Sequence, residues 1–250
     1  RDVGRLRSRR DLLRYRGQVP MVFQDPYSSI NPVYRVSHGV MRALALHRPE
    51  LTPDERRAEA KRAFETVGLT PADEMLRKFP YEMSGGQRQR VGFAQALAVG
   101  PSLILADEPV SMLDVSIRAG ILNLMLELRD KTGVSILFIT HDIASARYVA
   151  DRIAVMYAGH LVETGPTEEV LAHPRHPYAD LLVKAVPDPR RREELQVAAA
   201  AGEPPRVIDP AEGCRFQPRC PLAIELCSRV TPVLNPVGEG HAAACHVTAP

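Results

Sequence analysis

Two adjoining segments constrain this chain more than any other part of it. Residues 84–90 read Ser-Gly-Gly-Gln-Arg-Gln-Arg, and residues 103–109 read Leu-Ile-Leu-Ala-Asp-Glu-Pro. A continuous apolar tetrad is the pattern of a buried strand in a parallel sheet. Such a strand delivers Asp107 and Glu108 at its carboxyl end, where open α/β sheets place their ligands. The earlier segment opens a helix with Ser84 and two glycines. Glycine lets backbone amides approach an oxygen anion closely, and the helix N-terminus adds a favourable dipole. Each segment alone has an ordinary explanation, a solvated acid pair or a plain N-cap. One helix apart, they point together to phosphate chemistry.

The surrounding pattern supports an α/β sheet. Val19–Gln24 predicts a short strand, weakened at its start by Pro20. Asp25-Pro26-Tyr27-Ser28-Ser29 is turn chemistry, and the pattern is then helical to about Pro80. Thr52-Pro53-Asp54-Glu55 fits a capping box with proline at the first helical position, and Ala60, Phe64 and Val67 recur on one face. A second helix is expected over Gly86–Val99. Ile117, Ile121, Leu124 and Leu128 form a helical stripe within Val115–Lys131. Leu103–Ala106, Ile136–Ile139 and Ile153–Tyr157 are three apolar runs, all expected in one parallel sheet with right-handed crossovers. His160–Gly165 is expected as a hairpin arm after Gly159, and Asp188–Pro210 reads as a linker.

Further candidate groups sit at the ends of these elements. Gln24 closes the first strand, where a neutral amide reaches both a divalent cation and a water. His141 follows the strand at Ile136–Thr140, where an imidazole donates to a terminal phosphate. Asp107 is suited to hold Mg²⁺, and Glu108 to orient or deprotonate the attacking water. Asp114 stands where a helix N-cap is expected.

In this order and spacing the motifs resemble those of an ATP-binding cassette (ABC) nucleotide-binding domain, over roughly residues 19–165. Gln24 matches the Q-loop, Ser84, Gly85, Gly86 and Gln87 the signature, Asp107 and Glu108 Walker B, Asp114 the D-loop and His141 the H-loop. Met83 and Met112 stand where leucine and alanine are usual. The resemblance implies a RecA-like parallel core with a helical subdomain at about 27–100. It also implies head-to-tail dimers sandwiching two ATP molecules, in which Ser84 and Gly86 contact the γ-phosphate held by a partner. The Gln24 loop would relay nucleotide state to membrane subunits. No Gly-x-x-x-x-Gly-Lys-Ser/Thr phosphate loop occurs in the sequence, and the first residue is Arg. The chain is therefore read as an N-terminally truncated cassette, inactive alone.

The remainder narrows the resemblance. His173-Pro174-Arg175-His176-Pro177-Tyr178, Val186-Pro187-Asp188-Pro189 and Gly213-Cys214-Arg215-Phe216-Gln217-Pro218-Arg219-Cys220-Pro221 resemble the C-terminal extension of oligopeptide/dipeptide-type importer ATPases. The expected division is a cassette at 1–165 and an extension at 166–250, with a four-cysteine segment at 213–246. His176-Pro177-Tyr178 itself reads as a helix opening with a packed tyrosine.

Cys214, Cys220, Cys227 and Cys245 are spaced C-x5-C-x6-C-x17-C. Four thiols gathered in one short cytosolic segment suggest a metal. Zn²⁺ would accept four thiolates, or three with His241 or His246, and an iron–sulfur cluster would use all four. Some members of the resembling family carry a [4Fe–4S] cluster on cysteines so arranged. Unligated thiols are the third alternative.

Other classes are disfavoured. A net charge of +2 gives no electrostatic case for nucleic acid. No run approaches the roughly 18 apolar residues of a membrane span, and Arg1–Arg16 lacks the apolar core of a signal peptide. The expected protein is an ATPase subunit of an importer for peptides or related solutes, peripheral on the cytoplasmic face of the membrane. It would use ATP and Mg²⁺ and pair with a second ATPase subunit, identical or paralogous. It would drive transmembrane permease subunits, and an extracytoplasmic solute-binding protein through them. The alternative is a non-catalytic cassette that only donates its signature to a partner's ATP site.

Overall fold

The computed structural model describes residues 3–26, 28–186 and 212–249. The expected linker at 188–210 lies outside the described residues. Contacts divide the chain into two compact units, Arg1–His141 and Asp142–Pro250. The sheet that carries 153–157 belongs wholly to the second unit, so the division falls ahead of the 165/166 boundary read from sequence.

In the first unit, α1 spans Arg9–Gln18 and β1 Met21–Val22. The helices α2 (Ser37–His47), α3 (Pro53–Thr66) and α4 (Ala72–Met75) follow. Next come α5 (Gly85–Ala98), β2 (Leu103–Asp107), α6 (Val115–Thr132) and β3 (Ser135–Ile139). The expected strand at 19–24 is cut to two residues because α1 runs up to Gln18, with the Val19 amide still bonded to the Tyr15 carbonyl. The sequence reading had no helix here, although Ser8 caps it by accepting from the Arg10 amide.

The sheet order is β1-β2-β3, all parallel, with Met21 opposite Leu105 and Asp107 opposite Ile139. Ile104 and Ala106 are fully buried, and Ile121, Leu124 and Leu128 of α6 are buried as the stripe predicts. Leu137 and Ile139 on β3 are exposed, so that strand is not covered on both faces. The capping box of α3 forms as expected, with the Glu55 amide on Thr52 Oγ1 and the Thr52 amide on the Glu55 carboxylate. Ala60, Phe64 and Val67 are buried, packing α3 against α2 and α5.

In the second unit, α7 spans Ile143–Val149, β4 Arg152–Tyr157, β5 His160–Pro166, α8 Thr167–Ala172 and α9 Pro177–Lys184. The strands β6 (Asn235–Gly238) and β7 (His241–Ala243) complete a four-stranded antiparallel sheet of order β4-β5-β7-β6. The expectation that Ile153–Tyr157 joins the parallel sheet is therefore corrected. Ala158 and Gly159 both have positive φ, 49° and 75°, between the paired Tyr157 and His160. Two left-handed residues make the tight turn that matches strand twist in an antiparallel hairpin. The turn outweighs the apolar run. The hairpin arm expected at 160–165 is present as β5.

Candidate functional site

Each strand of the parallel sheet leads at its carboxyl end to one polar residue: Gln24 after β1, Glu108 after β2 and His141 after β3. Parallel register places these ends side by side. Gln24 Nε2 donates to Glu108 Oε2 at 3.0 Å, and His141 Nδ1 lies 3.1 Å from Glu108 Oε1. An ionised carboxylate only accepts, so Nδ1 carries the proton in this contact. The Glu108 side chain is about three-quarters buried and that of His141 is mostly exposed.

Glu108 is held by backbone as well. Its amide donates to the Ile139 carbonyl at 2.9 Å, and its own carbonyl accepts from the Ser111 amide and hydroxyl. It adopts φ 42°, which is costly for a residue with a Cβ. Strain of this kind fixes the direction of the carboxylate. Asp107 ends β2 one residue earlier. Asp114 is the N-cap residue of α6, yet its side chain makes no capping bond.

Ser84 caps α5 through a capping box: its Oγ accepts from the Gln87 amide at 3.2 Å, and Gln87 Oε1 accepts from the Ser84 amide at 3.0 Å. Gly86 is buried, and a Cβ there would lie 2.5 Å from Ile117 Cγ2. Its lack of a side chain is thus required by the approach of α5 to α6. No hydrogen bond or ion pair joins Ser84–Gln87, Asp107 or Asp114 to the Gln24–Glu108–His141 group among the described residues.

Three groups that the sequence reading did not single out are held by specific bonds. Gln89 is buried and donates to the Phe23 carbonyl at 3.3 Å. The Arg90 guanidinium donates to the carbonyls of Val67 and Gly120. Glu163 is fully buried in the second unit and accepts from the amides of Arg175 and His176 and from His241 Nε2. Gln89 was legible only as a member of the 84–90 segment. A lone glutamate in a strand carried none.

The expected metal centre on Cys214, Cys220, Cys227 and Cys245 is corrected. All four are free thiols, and among the described residues no three Cys, His, Asp or Glu side chains gather as metal ligands. Cys214 and Cys220 pack against the Tyr157, Val162 and Phe216 cluster, and Cys245 against Ala243 and Ala249. Burial pushes the Cys214 and Cys220 thiols up, with neighbouring cysteines adding to it. Both candidate imidazoles are engaged elsewhere: His241 on Glu163, and His246 on the Val230 carbonyl at 2.9 Å. Among the described residues no ligand group for a [4Fe–4S] cluster or Zn²⁺ is formed.

His176 caps α9, its Nδ1 accepting from the Tyr178 amide at 3.0 Å, with Pro177 at the first helical position. Tyr178 packs edge-on against Tyr157 at 4.7 Å between centroids. Burial lowers the His176 pKa to about 4, with His160 adding to the shift, so the imidazole is neutral near pH 7.

Solved structures place this fold among ATP-binding cassette ATPase domains. One is cbiO1 of Clostridium perfringens, part of the ABC transporter complex cbiONQ, with a TM-score of 0.59 and 28% identity. The match covers 66% of this chain and 64% of that one. Another is the dimeric ATP-binding cassette MJ0796 bound to ADP and phosphate, with a TM-score of 0.55 and 28% identity over 64% of this chain and 68% of the other. The family model described as ABC transporter matches residues 2–111, and that described as oligopeptide/dipeptide transporter, C-terminal region, matches residues 162–227. A Sinorhizobium fredii protein named as a peptide ABC transporter ATP-binding protein is 46% identical over 100% of this chain and 69% of its own length. A Brucella ovis protein named as a peptide import ATP-binding protein is 41% identical over 98% of this chain and 76% of its own. The chain belongs to the ATP-binding subunits of oligopeptide/dipeptide-type ABC transporters.

Proposed function

We propose that this chain is the ATPase subunit of an ABC importer of peptides or related solutes, with Glu108 as the group that activates the attacking water. The observation that carries the reading is the Glu108 carboxylate, held at one oxygen by Gln24 and at the other by His141. Two donors fix its plane and leave lone pairs for a water. His141 meets Glu108 through Nδ1, so Nε2 remains to donate to the γ-phosphate when the ring is protonated.

Asp107 and the Gln24 amide oxygen are hard oxygen donors that suit Mg²⁺, which would neutralise phosphate charge there. Ser84, Gly85, Gly86 and Gln87 would meet a nucleotide held by a second ATPase subunit, identical or paralogous, and Asp114 would lie at the same dimer interface. The subunit would sit on the cytoplasmic face of the membrane, drive transmembrane permease subunits, and serve an extracytoplasmic binding protein through them. Among the described residues no helix is long and apolar enough to cross a membrane. These 250 residues contain no phosphate-binding Gly-Lys loop, so activity is proposed for the full gene product with its partners. The rival reading, a cassette that only donates its signature, is opposed by the retention of Gln24, Glu108 and His141.

The test uses the full-length gene product assembled with its permease. Glu108→Gln should abolish ATP hydrolysis while ATP is still bound. Hydrolysis at the wild-type rate would remove Glu108 from the mechanism.

A further inference from the structure

Gln89 is a polar side chain only 2% exposed in the second turn of α5, and the proposed water activation by Glu108 leaves it without a role. Helix α5 passes close to the end of β1: a Cβ at Gly92 would lie 3.7 Å from Val22 Cγ1. Gln89 is three residues before Gly92, so the two share one face of the helix. From that face Gln89 Nε2 donates to the Phe23 carbonyl at 3.3 Å.

The acceptor decides what this bond does. The carbonyl of Phe23 and the amide nitrogen of Gln24 belong to one planar peptide unit. Holding that oxygen therefore orients the backbone from which the Gln24 side chain departs. Gln24 in turn donates to Glu108 Oε2 at 3.0 Å. A cavity of about 180 Å³ lies beside the contact, lined in part by Met21, Val22, Phe23, Arg88, Gln89 and Gly92. Packing is incomplete here, and the hydrogen bond is a directional tether between α5 and the end of β1. At its other end α5 opens at Ser84 and Gln87, five and two residues before Gln89, within one rigid helix.

We propose that Gln89 is a positioning residue that ties the signature helix to Gln24, so that the placement of Ser84–Gln87 governs how Glu108 is presented. This rests on the ATPase reading given above. The path is short: the Gln89 amide, the Phe23–Gln24 peptide, the Gln24 amide, the Glu108 carboxylate. A displacement of α5 when its N-terminus engages a nucleotide turns the Phe23–Gln24 peptide and shifts one of the two donors on Glu108. One subunit's signature is thereby coupled to its own hydrolytic carboxylate.

The test is a double-mutant cycle on the full-length gene product with its permease, comparing Gln89→Met, Gln24→Ala and the pair. Methionine keeps the shape and removes the N–H donor. Loss of one net hydrogen bond should lower kcat about five- to tenfold, with KM for ATP changed less than about twofold. In the Gln24→Ala background Gln89→Met should cause no further loss, because its effect passes through Gln24. A purely structural role would instead lower the melting temperature and add its full effect in both backgrounds. That additive loss, or wild-type kcat in a folded Gln89→Met protein, would overturn the proposal. If Gln89→Met does not fold, Gln89→Lys decides, because it retains an N–H donor: a folded variant with near wild-type kcat supports the tether, and one with lost kcat refutes it. Glu108→Gln runs alongside. Persisting hydrolysis there would sink the ATPase reading itself, a result distinct from failure of the tether.

Discussion

The carboxylate of Glu163 accepts from His241 Nε2 at 2.7 Å, with both side chains almost wholly withdrawn from solvent. The two residues are 78 positions apart, and the same carboxylate also accepts the amides of Arg175 and His176. One buried acid thus joins β5, the entry to α9 and β7.

Removing a donor from this acid should be costly, because a buried charge that loses a partner keeps its desolvation penalty. His241→Ala is expected to destabilise the second unit by about 3 kcal/mol. Glu163→Gln turns one accepting oxygen into an NH2 that must face a backbone N–H of Arg175 or His176, so it should destabilise as well. Urea unfolding followed by far-UV circular dichroism measures both, and equal stability of His241→Ala and wild type would contradict the role.

His176 links stability to pH. Its pKa is about 4 in the folded chain, lowered by burial, against an ordinary value near 6.5. Below pH 6.5 the unfolded state binds a proton that the folded state refuses, so stability is whole above pH 6.5 and is lost as pH falls towards 4. Asparagine keeps an N-cap acceptor without titrating in this range. His176→Asn should therefore flatten the stability–pH curve over that window by about one proton. Curves of identical slope would refute the assignment.

Gly86 meets Ile117 where α5 and α6 approach. A Cβ placed 2.5 Å from the Ile117 methyl forces the helices apart. Gly86→Ala is expected to cost about 1–3 kcal/mol, and Ile117→Ala in the same chain should recover much of it. Thermal melts of the three variants test this, and additive losses would show that the contact is not the cause.

Glu108 carries its strain locally. Glycine adopts φ 42° without penalty, so Glu108→Gly should raise stability by about 1 kcal/mol while removing hydrolysis. A melting temperature below wild type would mean that the Gln24 and His141 bonds outweigh the backbone strain.

Much of the fold was legible where the rule is local. Thr52 announces a helix start because a capping bond closes within three residues, and its capping box forms as read; the Ser84 cap, weighed only as the ordinary alternative, forms as well. The α6 stripe and the strand before Asp107 are likewise patterns over one turn or one pleat. The parallel fate expected for 153–157 failed because an apolar run does not encode its partner, and Ala158–Gly159 turned it into a hairpin. The cysteine spacing suggested ligands, whereas burial against Phe216 and the engagement of His241 and His246 gave the thiols and imidazoles other surroundings.

The sequence alone determined the helix caps, the order of the motifs and the chemical types at the strand ends, since these depend on neighbours a few residues away. Only tertiary structure decided which of them meet. Gln24 reaches Glu108 across 84 positions and Gln89 reaches Phe23 across 66. Bonds over such separations follow from strand register and helix approach, which emerge only when the core packs.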